Sequence, residues 1–470
     1  MKKINIYLVL IFFLAFLIRL IALNQSLWLD EGTTAKVVQS FGFTQIISGF
    51  SPHDFHPPLY YLFMKLWTNF FGYSEIALRM PSVIFSLLTG YVIYKMAKWL
   101  NGSIIALWGT IFFLFNPLII YYSQEARMYM MVTFLLVCGL YFLIKMLQSQ
   151  NSNVKCQNLF VGLFFSLSLL TFYGSVFLIV AVLIWSLFRK DFKSFFILCF
   201  MLCVTCLILS PLLYQQLINA KVSLQIVTNW SLVLGKANLK NLLLIPIKFT
   251  SGRISWEPKW LYYIVSGGWL MFILYQISNI PTSPKGFDGR GKYQNDKSKI
   301  KYFKLFTLLL VFPLLIGFIV SFFTPLLQYF RFLYLIPVMS ILLAIGANKN
   351  WQRYVLVSGF IIFSFVYLFN PQFHREDWKS LAKNISANSV VYAIPSSMDA
   401  LKYYSSELTI NELTNLRVNE LKKQKSIFVI PYTFEIYGID YKKDLEKKGY
   451  ELNETIDFRG VSLERWKFNL

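Results

Sequence analysis

Long apolar runs separated by short polar ones fill the chain from Ile4 to about Phe369, whereas Pro371 to Leu470 alternates like a water-soluble sequence. An apolar run of roughly 18 residues is long enough to cross a bilayer core. By that measure residues 4–23, 80–98, 103–121, 130–147, 194–213, 260–278, 303–323, 330–347 and 354–369 are expected membrane helices. Residues 158–188 are too long for one crossing and carry Thr171-Phe172-Tyr173-Gly174-Ser175 midway, which predicts a helical hairpin. The total is about eleven crossings. Lys2-Lys3 ahead of the first run resembles a signal peptide, but the run is too long and no small-residue cleavage site follows, so it reads as a retained first helix.

Two long connections break the zigzag, at 24–78 and 214–259. The first is too apolar and aromatic for a flexible linker and predicts amphipathic helices lying in the interface. In the tail, 389–394 and 426–430 are compact runs of strand-forming residues, and Trp378 to Ile385, Met398 to Ser405 and Lys442 to Lys448 look helical. The expected organisation is an all-α polytopic membrane domain, residues 1–370, followed by a small α/β domain, residues 371–470.

With 56% hydrophobic and only 14% charged residues, the 470-residue chain is excluded from the ordinary soluble class. A net charge of +22 would suggest nucleic acid in a soluble protein. Here Lys2-Lys3, Lys95/Lys98, Lys145/Lys155, Arg189-Lys190-Lys193, Lys285 to Lys304 and Lys349/Arg353 fall in loops on one side, the positive-inside pattern. The expected partner is therefore the lipid bilayer and not nucleic acid. The expected location is the plasma membrane, with loops 24–78 and 214–259 and the tail extracytoplasmic. Cys138, Cys156, Cys199, Cys203 and Cys206 lie in apolar segments or a cytoplasmic loop, imply no disulfide framework, and are taken as packing residues.

Three external segments carry ionisable groups at the membrane boundary: Asp30-Glu31, His53-Asp54-Phe55-His56-Pro57-Pro58, and Gln124-Glu125-Ala126-Arg127. Carboxylates beside lipid are costly unless they meet water, a cation or a donor, so convergence on one site is one reading. The alternative for Asp30-Glu31 is helix capping. His53 and His56 with Asp54 or Glu31 are suitable ligands for a divalent metal such as zinc or manganese, and equally His56-Pro57-Pro58 stiffens the chain. Glu125 and Arg127 suit either a site or a surface ion pair. Arg331 can bind a phosphate at headgroup level or act as an interface anchor, and Arg19 can snorkel or turn toward a polar site.

Leu27-Trp28-Leu29-Asp30-Glu31, His56-Pro57-Pro58-Leu59-Tyr60-Tyr61, Phe71 to Ser82, Asn116-Pro117 and Tyr122 to Tyr129 occur in the order seen in the protein-mannosyltransferase-like membrane glycosyltransferases. The chain resembles this family, glycosyltransferase family 39 of the GT-C fold class, which includes relatives of the lipid A aminoarabinose transferase. The resemblance is most specific over 27–130 and continues loosely through Gln328 to Pro337. It implies transfer of a sugar from a polyprenyl-phosphate donor to an acceptor, with inversion and no organic cofactor. It implies Asp30 as catalytic carboxylate with Glu31 as its partner. His56, Glu125, Arg127 and Tyr129 match further motif positions, with Arg127 and Arg331 near the donor phosphate. Phe172-Tyr173 stand where many members have a histidine, which bears on any metal there. The rival reading is a transporter or flippase of a lipid-linked glycan, although such proteins place their polar groups at the bilayer midplane.

Overall fold

In a computed structural model, residues 2–148, 154–227, 229, 234–280, 293–386, 389–414 and 424–469 are described. The chain is mostly helical: α1 (Lys2–Leu20), α2 (Leu29–Ser40), α3 (Leu59–Phe71), α4 (Glu75–Asn101), α5 (Ser103–Leu114), α6 (Pro117–Ser123), α7 (Tyr129–Gln148), α8 (Val154–Thr171), α9 (Val176–Phe188), α10 (Phe192–Ile226), α11 (Leu239–Ser251), α12 (Lys259–Ser278), α13 (Tyr293–Val320), α14 (Ile336–Gly346) and α15 (Asn350–Phe369). Among the described residues, 7 helices are long and apolar enough to span a membrane, or up to 8 when the bent pair α5–α6 is one span. Three shorter apolar helices, 5–20, 157–171 and 173–188, accompany them. The hairpin expected at 158–188 is present, turning through a single 3-10 turn at Tyr173–Ser175. The basic run Lys285 to Lys304 lies outside the described residues as far as 292.

Burial sorts the helices. The apolar stretch of α7 is 72% buried and that of Tyr329–Gly346 is 83% buried, whereas α10 is only 17% buried. The first two form the centre of the bundle, and α10 turns Phe200, Leu207 and Ile208 outward. Cys203 and Cys206 on α10 are exposed as well, so they are surface residues of this helix and not packing residues. The sequence places the end of this crossing near 213, but the helix continues to Ile226. Its 35 residues amount to roughly 50 Å at 1.5 Å per residue, well beyond a hydrocarbon core of about 30 Å. The extra turns have a use: Gln216 Nε2 donates to the Ser51 and His56 carbonyls, at 2.8 and 3.2 Å, and Asn219 Nδ2 to the Pro52 carbonyl at 2.8 Å.

Breaks in the helices are satisfied by side chains, as a nonpolar surrounding requires. Pro81 inside α4 cannot donate to the Ala77 carbonyl, and Trp67 Nε1 does so instead at 2.8 Å. At the 60° bend between α5 and α6, Asn116 caps Leu118 and Ile119. Arg19 donates to the Leu114 carbonyl at 2.9 Å, to the Ala15 carbonyl and to Ser86 Oγ. Arg19 is therefore a fully buried staple of α1, α4 and α5, neither snorkelling nor at the polar site.

The C-terminal part contains α16 (Trp378–Lys383), β1 (Val390–Ala393), α17 (Pro395–Tyr404), β2 (Thr409–Glu412), β3 (Ser426–Val429), α18 (Tyr441–Lys447), β4 (Tyr450–Phe458) and β5 (Val461–Phe468). The strands form one sheet of order β2-β1-β3-β5-β4, parallel at β1–β2 and β1–β3 and antiparallel thereafter. Sequence patterning finds β1, β3 and the three helices but neither β2 nor the β4–β5 hairpin. Strand β4 lies at the sheet edge with Glu451 to Thr455 exposed, so no hydrophobic face shows in its pattern. The sheet domain sits directly on the first external loop. Tyr404 Oη accepts from the Leu27 amide at 2.7 Å, Asp399 Oδ1 pairs with Lys36 at 2.7 Å, and Tyr403 Oη donates to the Tyr73 carbonyl at 2.7 Å. At the closest approach a Cβ on Gly32 would lie 2.5 Å from the Ala400 backbone, so only glycine fits there.

Candidate active site

The start of α2 separates the two neighbouring carboxylates. Glu31, not Asp30, performs the capping, its Oε2 accepting from the Trp28 amide at 3.3 Å. Its carboxylate then points into the protein. Arg79 binds it with two contacts, Nε to Oε1 at 2.8 Å and Nη2 to Oε2 at 2.6 Å, and the Ala126 amide donates to Oε1 at 2.7 Å. Burial pushes the Glu31 carboxyl up, but Arg79 and Arg375 outweigh it and the net shift is downward. With no exposed surface and its lone pairs taken, Glu31 orders the loops and is closed to substrate.

Asp30 faces the other way. Its side chain is 36% exposed, and the nearest cation, Arg127 Nη2, is 3.6 Å from Oδ2, beyond hydrogen-bond length. Arg127 is buried and donates through Nη1 to Tyr61 Oη at 3.1 Å, and Ser82 Oγ donates to the Glu125 carbonyl at 2.5 Å and, more weakly, to the Arg127 carbonyl at 3.4 Å. Beside this pair, Trp28 Nε1, Tyr60 Oη and Arg127 Nε are buried without hydrogen-bond partners among the described residues. Unmatched buried donors are rare in folded proteins and mark a place for a polar ligand.

Glu125 is buried in the same loop, 2.9 Å from Arg375 Nη1. Burial, aided by Glu31 and Asp30, pushes its carboxyl up to about 7 against the downward pull of Arg375 and Arg253. Tyr129, at the start of α7, packs its ring against Tyr122, Phe172 and Phe330. Arg331 lies within electrostatic reach of Tyr129 and Asp30, and Nη1 donates to the Pro325 carbonyl at 3.3 Å.

The loop at 53–56 supplies fewer metal ligands than its sequence suggests. His53 is exposed, and His56 Nδ1 lies 3.4 Å from Asp54 Oδ1 with its ring stacked on Phe172. Burial raises the Asp54 carboxyl, and His56 and Arg127 bring it below its ordinary value. Glu31, the other expected ligand, is engaged by arginine. Among the described residues no three of His, Cys, Asp and Glu come together to hold a metal ion, so these side chains do not fit a three-ligand protein site.

Three arginines of the site were not singled out in the sequence. Arg79 lies in an apolar helix two residues before Pro81, and an intramembrane arginine is itself a signal. Arg375 follows the last apolar helix in an unremarkable polar stretch. Arg253, after α11, donates to Tyr121 Oη and lies 5.1 Å over its ring.

Residues 55–214 match the dolichyl-phosphate-mannose-protein mannosyltransferase family. No curated protein matches the chain by sequence. Among solved structures, ArnT from Cupriavidus metallidurans in the apo state is similar at 11% identity, covering 98% of each chain with a TM-score of 0.61. The same protein bound to undecaprenyl phosphate gives 0.58 over 98% of each chain at 11% identity. The Archaeoglobus fulgidus oligosaccharyltransferase in complex with Zn and sulfate gives 0.50 at 11% identity, over 85% of this chain and 62% of that one. The chain thus has the GT-C glycosyltransferase fold seen in ArnT, with several helices long and apolar enough to make it a multi-pass membrane protein, and its residues 55–214 are similar to the protein mannosyltransferase family.

Proposed function

We propose that this protein transfers a sugar from a polyprenyl-phosphate donor to an acceptor at the extracytoplasmic face of the plasma membrane, with inversion at the anomeric carbon. The observation that carries the reading is the separation of the acidic pair: Asp30 is open and loosely paired at 3.6 Å from Arg127, while Glu31 is locked inside. An open carboxylate beside buried, unmatched donors suits a reaction in which a hydroxyl must lose its proton.

In this mechanism Asp30 accepts the proton of the acceptor hydroxyl as its oxygen bonds to the anomeric carbon. The bond from that carbon to the phosphate oxygen breaks on the opposite face, and polyprenyl phosphate leaves with the electron pair. Attack opposite the leaving group inverts the centre without a covalent enzyme intermediate. Arg127, Arg253 and Arg331 stabilise the charge that grows on the departing phosphate. An apolar groove of about 410 Å³, lined by Phe43, Leu59, Leu62, Leu66, Met131 and Leu135, opens two residues beyond Tyr129 and suits an isoprenoid chain. The basic loops support a cytoplasmic opposite side, and α17 resting on α2 puts the tail on the side of Asp30.

The test incubates purified protein with a radiolabelled polyprenyl-phosphate sugar and cell-envelope acceptors, and follows release of polyprenyl phosphate. Asp30→Asn should lower turnover by roughly 100-fold to 10,000-fold with unchanged abundance. Equal turnover in wild type and Asp30→Asn would remove Asp30 from the chemistry. Movement of intact donor across vesicles without cleavage would favour the transporter reading.

A further inference from the structure

We propose that Arg375 is a positioning residue, through which the C-terminal sheet domain sets the placement and charge of the Glu125 loop. The proposal deepens the transferase reading and rests on it for its kinetic part. Arg375 belongs to the strand of chain that leaves the last membrane helix for the sheet domain, and its side chain is fully buried. Its guanidinium lies between the two internal carboxylates, Nη1 at 2.9 Å from Glu125 Oε2 and Nε at 3.7 Å from Glu31 Oε2. It also lies 4.4 Å over the Tyr121 ring. Among the described residues it is the one ion-pair partner that Glu31 and Glu125 share.

Its backbone is gripped from both sides. The Arg375 amide donates to Gln25 Oε1 at 3.1 Å, and its carbonyl accepts from Arg459 Nε at 2.7 Å. Arg459 lies in the β4–β5 turn and also accepts the Asp377 amide at 2.9 Å. Gln25 continues the chain of contacts, its Nε2 donating to Tyr367 Oη at 3.3 Å, and Tyr367 Oη donates to Gln124 Oε1 at 3.0 Å. The turn of a distant hairpin is thereby linked to the residue before Glu125. A seat built this way fixes Arg375 only while the sheet domain is docked, and Arg375 in turn supplies the cation nearest Glu125.

Glu125 is faced by Asp30 and Glu31 from α2, Tyr60 from α3, Tyr121 and Tyr122 from α6, Tyr129 from α7, Arg253 after α11, and Arg375. Removing Arg375 leaves Arg253 as the remaining cation of that set, so Glu125 keeps its proton to higher pH. Because Asp30 and Glu125 interact, the pH limb of turnover that disappears in Glu125→Gln should move upward in Arg375→Met. Arg375→Lys keeps the charge and should hold the limb near its wild-type position. Turnover in Arg375→Met should fall by roughly 100-fold, the cost of a small misplacement of reacting groups.

The experiment pairs pH–rate profiles of the full-length protein and both variants with hydrogen exchange of the same samples in detergent. Expected are the upward limb in Arg375→Met, its recovery in Arg375→Lys, and exchange raised about tenfold at 25–32 and 122–129 while β3 and β5 stay protected. A limb at its wild-type position in Arg375→Met, or unchanged exchange at 122–129, overturns the proposal and leaves Arg375 a packing residue. Absence of transfer in the wild type would defeat the transferase reading alone, because the exchange comparison still decides the role of Arg375.

Discussion

Arg79 and Glu31 are 48 positions apart in the chain and form a fully buried, two-point ion pair, with contacts of 2.8 and 2.6 Å. Arg79 also donates to the carbonyls of Leu23, Gln25 and Ser26, so one guanidinium closes the turn that leads into Asp30. Truncating one partner of a buried pair leaves the other charge without compensation, at a cost of about 3–5 kcal/mol. Arg79→Met should therefore lower thermal stability and lose transfer together. If Arg79→Met unfolds at the wild-type temperature in a fluorescence melt, the pair is not holding the loop.

Two carboxyls respond to pH with opposite sign. Glu125 is raised from 4.5 to about 7 in the folded protein, so the native state holds its proton more tightly than the unfolded chain does. Stability from this group is complete below about 4.5 and declines as pH rises through about 7. Glu31 is lowered, so its contribution is present above 4.5 and lost as pH falls through its folded value. Wild type should lose stability between about pH 5 and 8 in thermal melts, and Glu125→Gln should flatten that decline. An identical decline in the variant would assign it to another group.

Donor recognition should separate arginine from lysine. If Arg331 grips the carrier phosphate, Arg331→Lys keeps the charge but loses the planar fork. One lost charge-assisted contact is worth about 1.5–3 kcal/mol, so the apparent donor constant should rise roughly 10-fold to 150-fold with the acceptor constant unchanged. Titration of polyprenyl-phosphate sugar at saturating acceptor measures this. An unchanged donor constant would transfer the role to Arg253 and Arg127, and the same titration on Arg253→Lys would follow.

Sidedness is open to impermeant thiol labelling in a background with the five native cysteines replaced. His53 and Ser406 are exposed, and exposed Lys190 lies on the opposite set of loops. Single cysteines at His53 and Ser406 should react in intact cells and one at Lys190 should not. Labelling only at Lys190 would invert the orientation.

Hydropathy and charge bias determined the membrane class and the hairpin at 158–188, because a bilayer imposes length and polarity on each segment independently of its neighbours. The same local logic located Asp30-Glu31, 53–56 and 124–127 at one boundary. It could not assign unequal roles to Asp30 and Glu31. Which of two adjacent carboxylates turns inward depends on Arg79 and Arg375, far away in the chain, and only the folded loops bring those guanidiniums to it. Nor could it foresee that α10 would outlast the membrane, since its last turns are held by contacts to the 51–56 loop. The sequence by itself determined where polar chemistry can sit, one segment at a time. The tertiary structure decided which of those groups are locked and which stay open, because burial and pairing of charges are properties of contacts between distant segments.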